Sequence, residues 1–216
     1  MTIEVLVADD HAIIRDGLRK ILADTEDLVV AGEACNGNQT LDKVRERDWG
    51  LVVLDLSMQG RNGLELIKLI KAERAKLPIL VFSMHPEEQY ALRALRVGAA
   101  GYLSKDDDGD LLLPAMRKVA AGGTFFSTRV AELLVMQQIT RHDDNLPHTR
   151  LSDREYEIFT RIVRGISLTE IANELSLSIK TVSTHKSHIL AKMEMSNQID
   201  LVRYAIEHQL LDVRQG

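Results

Sequence analysis

The residues best suited to chemistry are three aspartates, a serine and a lysine that stand at the ends of short apolar runs. Asp9 and Asp10 follow "IEVLVA", Asp55 follows "LVVL", Ser83 ends "ILVFS", and Lys105 follows "AGYLS". A carboxylate at the end of a buried run needs a partner, because burying an unpaired charge costs several kcal/mol. These five residues therefore form one candidate site.

Three clustered carboxylates repel one another, and a divalent cation relieves that repulsion. Oxygen ligands without histidine or cysteine favour a hard ion such as Mg²⁺. Together with Lys105, such an ion neutralises the oxygens of a phosphoryl group while an aspartate attacks phosphorus in line. The residue types thus predict that Asp55 accepts a phosphoryl group.

The elements that position these residues are predicted from the apolar pattern. Runs at 3–8, 28–34, 51–54, 79–83 and 100–104 indicate five strands, and apolar residues spaced three or four apart lie between them. Alternating strands and helices favour a parallel sheet covered on both faces. Ligands bind beyond the carboxyl ends of such strands, which is where the five candidate residues stand.

The pattern changes after about residue 124. A helix fits 129–140, and the segment "TRHDDNLPHTR" (140–150) is polar and aperiodic, as in a linker. Helices then fit 152–164, 168–175, 179–193 and 197–209, with no strand signal. We expect a phosphoacceptor domain at 1–124, a partly helical linker at 125–149, and a four-helix, all-α domain at 150–216.

Composition excludes several classes of protein. The single cysteine, Cys35, excludes an intrachain disulfide and a thiolate metal cluster, and we expect it and Trp49 to serve packing. The net charge of −5 does not by itself indicate a nucleic-acid partner. No apolar stretch reaches about 18 residues, and the acidic N-terminus lacks the features of a signal peptide. We therefore expect a cytoplasmic protein without a membrane partner.

The first 122 residues resemble the receiver domain of two-component response regulators, a (βα)5 flavodoxin-like fold. The resemblance rests on the Asp9–Asp10 pair, the "LD" of Asp55, the Ser83 hydroxyl and "GYLSK" ending in Lys105. It implies that Asp55 is phosphorylated and that Ser83, Tyr102 and Lys105 contact or follow the phosphoryl group. It also implies Mg²⁺ ligation by Asp10, Asp55 and the Ser57 carbonyl, with Asp9 acting mainly through water. Gln59 stands where the family usually has proline, and we expect a more mobile loop there.

The C-terminal third resembles the helix-turn-helix domain of the NarL/FixJ (LuxR-type) class. The resemblance rests on "LSDRE", "RGISLTEIANEL", "SIKTVSTH" and "AKM". Lysines and short hydroxyl side chains on the second helix of the motif suit contacts in the major groove of DNA. The alternative interpretation is a polar helix face that only contacts solvent. The implied DNA-contact residues are Lys180, Thr181, Ser183, Thr184, Lys186, Ser187 and Lys192. Ser183 replaces a usually basic residue, which precludes bidentate reading of guanine there. His185 and His188 lack companion ligands, so we expect no metal at that helix.

The two resemblances predict a transcriptional regulator without catalytic residues. They imply that a sensor histidine kinase phosphorylates it and that it binds double-stranded promoter DNA, as a homodimer when phosphorylated. RNA polymerase is a further expected partner. One alternative is an enzyme with an aspartyl-phosphate intermediate, of the haloacid dehalogenase type. Such a phosphatase needs an acid two residues after its nucleophile, where this chain has Ser57. Another is a regulator that binds DNA without being phosphorylated.

Overall fold

The computed structural model describes residues 2–58, 62–139, 146–208 and 210–211. The chain divides into two compact units, Met1–Met136 and Gln137–Gly216. Gln59, for which a mobile loop was predicted, lies outside the described residues, and so do residues 140–145 of the predicted linker. In the part that is described, no helix is long and apolar enough to cross a membrane.

The N-terminal unit is a five-stranded parallel sheet with the strand order β2-β1-β3-β4-β5. Its elements are β1 (Ile3–Ala8), α1 (Ala12–Ala23), β2 (Leu28–Ala34), α2 (Gly37–Glu46), β3 (Leu51–Leu54), α3 (Gly63–Glu73), β4 (Ile79–Ser83), α4 (Glu87–Arg96), β5 (Gly101–Ser104), α5 (Leu112–Ala120) and α6 (Thr128–Ile139). The predicted parallel α/β fold is confirmed. Among the strands, only β5 differs from its predicted bounds, beginning one residue later.

The sheet forms because its central strands are apolar on both faces. All four residues of β3 are buried, as are the last four of β1. On one face, Val5 and Val7 of β1 pack with Leu18 of α1 and Met116 of α5. A strand apolar on both faces is stable only when helices cover both, as parallel sheets require. Burial thus sets β1 and β3 side by side in the middle of the sheet, and both end at the candidate site.

Trp49 has the packing role predicted for it. Its side chain is buried before β3, and its indole Nε1 donates a hydrogen bond to the Lys43 carbonyl at 2.7 Å. The ring covers Gly32, where a Cβ atom would lie 2.4 Å from the ring carbon Cη2. The prediction of a packing role for Cys35 is wrong, because β2 ends at Ala34 and Cys35 begins the exposed turn before α2.

The C-terminal unit contains the four predicted helices: α7 (Asp153–Val163), α8 (Leu168–Glu174), α9 (Ile179–Lys192) and α10 (Gln198–Glu207). A serine precedes each of the first three helices as its N-cap. Ser152 and Ser167 form capping boxes with the glutamates three residues later, and Ser178 accepts a hydrogen bond from the Thr181 amide. Gly165 adopts a φ of +84° after α7, a conformation that glycine tolerates without strain. Local capping therefore sets the helix boundaries that the sequence predicts.

Candidate functional site

The candidate site lies at the carboxyl end of the sheet, where neighbouring strands bring distant residues together. The Asp55 amide donates to the Ala8 carbonyl at 2.8 Å, which sets the end of β3 beside the end of β1. The Lys105 amide donates to the Ser83 carbonyl at 2.9 Å, which sets the end of β5 beside the end of β4. The strand ends thus form one rim, as predicted.

Lys105 connects two of the aspartates directly. Its Nζ lies 2.6 Å from Asp9 Oδ2 and 2.8 Å from Asp55 Oδ2, and all three side chains are at most 4% exposed. Burial lowers the pKa of Lys105, but the two carboxylates raise it by more, so the pKa stands above its usual value. The ammonium group therefore stays charged and holds two buried carboxylates in place.

Each of these carboxylates also accepts a backbone hydrogen bond. Asp9 Oδ1 accepts from the His11 amide at 2.8 Å, and Asp55 Oδ1 accepts from the Ser57 amide at 3.1 Å. Hydrogen bonds to charged groups are stronger than neutral ones. The two carboxylates are thereby fixed in orientation before any ligand arrives.

Asp10 supplies an oxygen that these contacts leave unsatisfied. Its Oδ1 atom is buried and accepts no hydrogen bond from the described residues, although His11 Nδ1 lies 2.9 Å away without hydrogen-bond geometry. Ligand atoms of Asp9, Asp10, His11 and Asp55 all lie within 4.8 Å of one another. A buried carboxylate oxygen without a donor suits a hard cation, so the residues present fit a divalent ion such as Mg²⁺.

His11 is a member of this cluster that sequence reasoning missed. The prediction took the ligand set to be oxygen alone, yet the His11 ring nitrogen also lies 3.2 Å from Asp9 Oδ1. The available signal was its position, directly after the aspartate pair and at the start of α1. A hydrogen-bonding ring there orients the carboxylate beside it.

Ser83 and Tyr102 are both fully buried and are connected through His85. Ser83 Oγ accepts from the His85 amide at 3.4 Å, and the Tyr102 hydroxyl donates to the His85 carbonyl at 2.8 Å. Burial raises the pKa of Tyr102 well above its usual value, so the phenol stays protonated as a donor. Neither side chain hydrogen-bonds to Asp55, and both hold the loop that follows β4.

His85 is a second residue that sequence reasoning missed. Its Nε2 lies 3.2 Å from Ser57 Oγ, in the loop after β3. Its ring stacks on Tyr90 of α4 with a centroid separation of 4.3 Å. The loops that leave β3 and β4 therefore meet at one imidazole, and the only signal in the sequence was its place two residues after β4.

The predicted DNA-contact residues lie along α9. Lys180, Ser183, Thr184 and Ser187 are exposed, while Thr181 and Lys186 are half-buried. Two of the hydroxyls bond back to their own helix, Thr184 to the Lys180 carbonyl at 3.0 Å and Ser187 to the Ser183 carbonyl at 3.2 Å. These hydroxyls must rotate away from the helix to donate a hydrogen bond to a base.

Lys192 is also exposed, but its ammonium group is paired with a carboxylate of the same unit. Its Nζ lies 2.6 Å from Glu155 Oε2, and that carboxylate is 5% exposed and also accepts from the Ser152 amide at 2.7 Å. Burial raises the pKa of Glu155, but Lys192 and Ser152 lower it by more, so it stands below its usual value. This pair joins α9 to the start of α7, a structural role that sequence reasoning did not foresee.

Comparison with protein families assigns both halves of the chain. Residues 5–117 match the response regulator receiver domain. Residues 149–205 match the bacterial regulatory proteins of the luxR family. The two matches cover the acidic site and the four-helix unit, respectively.

Curated relatives match along almost the whole chain. The oxygen regulatory protein NreC of Staphylococcus haemolyticus is 35% identical over 215 residues, covering 97% of this chain and 99% of NreC. The response regulator UvrY of Escherichia coli K12 is 33% identical over 208 residues, covering 96% and 95% of the two chains. The order of domains is thus shared with these relatives.

Solved structures are similar along almost the whole chain. RcsB from Salmonella enterica serovar Typhimurium, bound to promoter rprA in the presence of the phosphomimetic BeF₃⁻, has a TM-score of 0.64 at 29% identity. That match covers 94% of this chain and 98% of the RcsB chain. The chain is a two-component response regulator of the NarL/FixJ family, a DNA-binding transcriptional regulator with a receiver domain and a LuxR-type helix-turn-helix domain.

Proposed function

We propose that Asp55 is the phosphoacceptor of this response regulator and that its phosphorylation controls promoter binding. The observation that carries the proposal is the position of Lys105, whose ammonium group bridges Asp9 and Asp55 in a buried pocket. An arriving phosphoryl group brings further negative charge, and a fixed buried cation stabilises that charge without reorganising. Asp55 itself is held by the Ser57 amide.

The transfer step is a substitution at phosphorus. The phosphoryl donor is a phosphohistidine of a sensor histidine kinase. A carboxylate oxygen of Asp55 forms the new O–P bond, the N–P bond breaks, and the kinase imidazole leaves with the electron pair. Lys105 lies next to the attacking carboxylate and interacts with the phosphoryl oxygens after transfer. Most of the rate comes from positioning and electrostatic stabilisation.

The acidic cluster is proposed to hold Mg²⁺. Asp10, Asp55 and the Ser57 carbonyl would be its direct ligands, and Asp9 would act through water. A bound ion would neutralise and orient phosphoryl oxygens. The support is the buried Asp10 Oδ1 atom, which accepts no hydrogen bond within the described residues. Lys105 and the His11 amide hold Asp9 in its orientation beside the proposed ion.

The signal is proposed to leave the pocket through Ser83. Its hydroxyl hydrogen-bonds the new phosphoryl group, which changes its contact with His85 and hence the environment of Tyr102. The phosphoryl group shifts the equilibrium between two conformations because it contacts only one of them favourably. Dimerisation in the shifted state presents two α9 helices to two half-sites.

DNA contact is proposed through the exposed side of α9. Phosphate contacts come from the lysines and base contacts from the short hydroxyls; the set is Lys180, Thr181, Ser183, Thr184, Lys186, Ser187 and Lys192. Lys192 bonds to Glu155, so its contribution to phosphate binding is the smallest among the lysines. The support is the solved RcsB structure, which was determined with promoter DNA and BeF₃⁻.

The remaining parts of the proposal concern organisation. The receiver spans 1–124, the linker 125–149 and the DNA-binding domain 150–216. The protein acts in the cytoplasm as a homodimer on double-stranded promoter DNA and contacts RNA polymerase. No phosphatase activity is proposed, because Ser57 stands where a phosphatase of the haloacid dehalogenase type has its acid. Sustained multiple turnover of p-nitrophenyl phosphate would overturn that exclusion.

The test is DNA binding with and without BeF₃⁻ and Mg²⁺. A duplex selected from a random pool by the BeF₃⁻-treated protein serves as the probe. Wild type is expected to bind this duplex more tightly with the mimic, and Asp55→Asn is expected not to respond. Lys20→Met, an exposed charge change on α1, is the control and keeps the full response. If BeF₃⁻ changes neither affinity nor oligomeric state in wild type, phosphorylation control fails.

A further inference from the structure

The segment between α5 and α6 pairs with the edge strand β5 through one bridge. The Phe125 amide donates to the Ala100 carbonyl at 3.1 Å, and the Tyr102 amide donates to the Phe125 carbonyl at 2.9 Å. Phe125 thereby pairs with Gly101 in a parallel bridge. The chain that leads to α6 is thus bonded to the backbone of Tyr102, whose side chain holds the loop after β4.

The residue just before α6 is bonded to a different element, the start of α4. Glu87 is the first residue of α4, and its Oε1 accepts a hydrogen bond from the Ser127 amide at 3.0 Å. Ser127 Oγ in turn accepts from the Val130 amide at 3.2 Å, and the Val130 side chain is fully buried. The carboxylate satisfies an amide at a helix N-terminus, where negative charge is favourable.

These contacts form a closed ring of hydrogen bonds. Tyr102 donates through its hydroxyl to the His85 carbonyl and through its amide to the Phe125 carbonyl. Glu87 follows His85 by two residues, and Ser127 follows Phe125 by two residues. The Glu87 carboxylate accepts a hydrogen bond from the Ser127 amide, which closes the ring. The ring therefore joins the loop after β4, the strand β5 and the N-terminus of α6.

We propose that Glu87 is a positioning residue that transmits movement of the loop after β4 to the start of α6. This inference rests on the proposed function, which supplies the movement when Ser83 bonds a phosphoryl group. Phe125 stays with β5, whereas Glu87 moves with α4. A shift of α4 relative to β5 therefore stretches the bond between Glu87 and Ser127 and loosens the start of α6, although the Ser127 hydroxyl cap stays in place.

Glu87 is not needed for ordinary helix capping, which makes a coupling role the better explanation. Ser127 already caps α6 locally through its own hydroxyl. The Glu87 carboxylate comes from an element 40 residues earlier in the chain. A contact between two elements that meet at the switch loop responds to their relative motion, which a local cap does not.

The experiment uses the full chain and hydrogen exchange of the amides at 127–131. Glu87→Ala removes the acceptor, and Glu87→Gln keeps an acceptor without the charge. Glu132→Ala, an exposed glutamate on α6 itself, is the matched control. Without BeF₃⁻, Glu87→Ala is expected to exchange about tenfold faster than wild type, the loss expected for one charge-assisted hydrogen bond. Glu87→Gln is expected to be intermediate, and Glu132→Ala unchanged.

Transmission is tested by adding BeF₃⁻ and Mg²⁺ to the same proteins. In wild type the mimic is expected to accelerate exchange at 127–131, and in Glu87→Ala to cause no further acceleration. The ratio of DNA affinities with and without the mimic is expected to fall at least threefold in Glu87→Ala, about the effect of half of such a hydrogen bond. A fully retained ratio in Glu87→Ala, or unaltered exchange at 127–131, would overturn the coupling role.

A failure of the proposed function gives a different pattern. If wild type shows no BeF₃⁻ response in either exchange or DNA binding, phosphorylation control itself is wrong, and transmission falls with it. If wild type responds and Glu87→Ala responds equally, only the role of Glu87 is wrong. Ser127→Ala separates capping from coupling, because it removes the hydroxyl cap but keeps the amide that Glu87 binds. It is expected to retain the wild-type BeF₃⁻ response.

Discussion

Replacing Lys105 by methionine tests how much the receiver depends on its buried ammonium group. Methionine has a similar length but no charge, so the change removes the cation shared by Asp9 and Asp55 while roughly conserving volume. Both carboxylates then remain in a pocket where the three side chains are at most 4% exposed. The variant is expected to be markedly less stable than wild type in the absence of divalent ions.

The magnitude follows from the distances. At about 2.7 Å and an effective dielectric constant of about 20, each contact is worth about 6 kcal/mol of Coulomb energy. Desolvation of each ion offsets several kcal/mol of that gain, and removing one partner from a buried pair costs about 3–5 kcal/mol in measured systems. The backbone amides of His11 and Ser57 still bond the two carboxylates. We therefore expect a loss of about 3–4 kcal/mol in the free energy of unfolding of the receiver.

The assay is urea unfolding of the full chain followed by tryptophan fluorescence. Trp49 is the only tryptophan and is buried in the N-terminal unit, so its emission reports on that unit alone. Lys20→Met, an exposed lysine on α1, is the control and is expected to stay within about 0.5 kcal/mol of wild type. Mg²⁺ is expected to stabilise Lys105→Met more than wild type, because the ion replaces the lost cation. An unfolding free energy of the variant equal to that of wild type would refute the electrostatic argument.

Three further outcomes are expected. Glu155→Ala removes the buried partner of Lys192 and part of a capping box. It is expected to lower the stability of the C-terminal unit by about 2–3 kcal/mol, measured by far-UV circular dichroism melts. A change below about 0.5 kcal/mol would contradict this. Burial lowers the pKa of His185 below 6.5, so its contribution to the free energy of unfolding is complete above pH 6.5 and is lost as the pH falls towards the lower folded pKa. His185→Asn is expected to flatten the dependence of the unfolding free energy on pH in this range, and an unchanged dependence would contradict the prediction. Gly63→Ala is expected to lower the free energy of unfolding, measured in urea, by about 1–3 kcal/mol, because the added Cβ would lie 2.5 Å from Leu56 Cα. An unfolding free energy equal to that of wild type would show that the backbone at Leu56 moves away without cost.

The strands and the location of the candidate site were predictable because both depend on local patterns. Runs such as Leu51–Leu54 are apolar throughout, which indicates a buried strand of a parallel sheet. Once five such strands are placed, their carboxyl ends meet at one edge, and Asp9, Asp55 and Lys105 must be neighbours. The helix caps were equally local, since Ser152 and Glu155 form their capping box within one turn.

The contacts that escaped prediction depend on side chains meeting through space. His85 touches Ser57 from a loop 28 residues away, and the sequence places neither rotamer. Lys192 was assigned to DNA by its position on α9, yet its flexible side chain reaches back to Glu155, 37 residues earlier. The exposure of Cys35 also escaped prediction, because Cys35 lies one residue beyond the last buried position of β2.

The bond between Lys105 and Asp9 joins residues 96 positions apart, and the bond between Lys105 and Asp55 joins residues 50 apart. During synthesis, the aspartates leave the ribosome long before the lysine that neutralises them. A nascent chain that ends before β5 therefore carries an acidic pocket without its ammonium group. The pocket is therefore complete only after the last strand has joined the sheet, so the proposed phosphoacceptor site forms late in receiver folding.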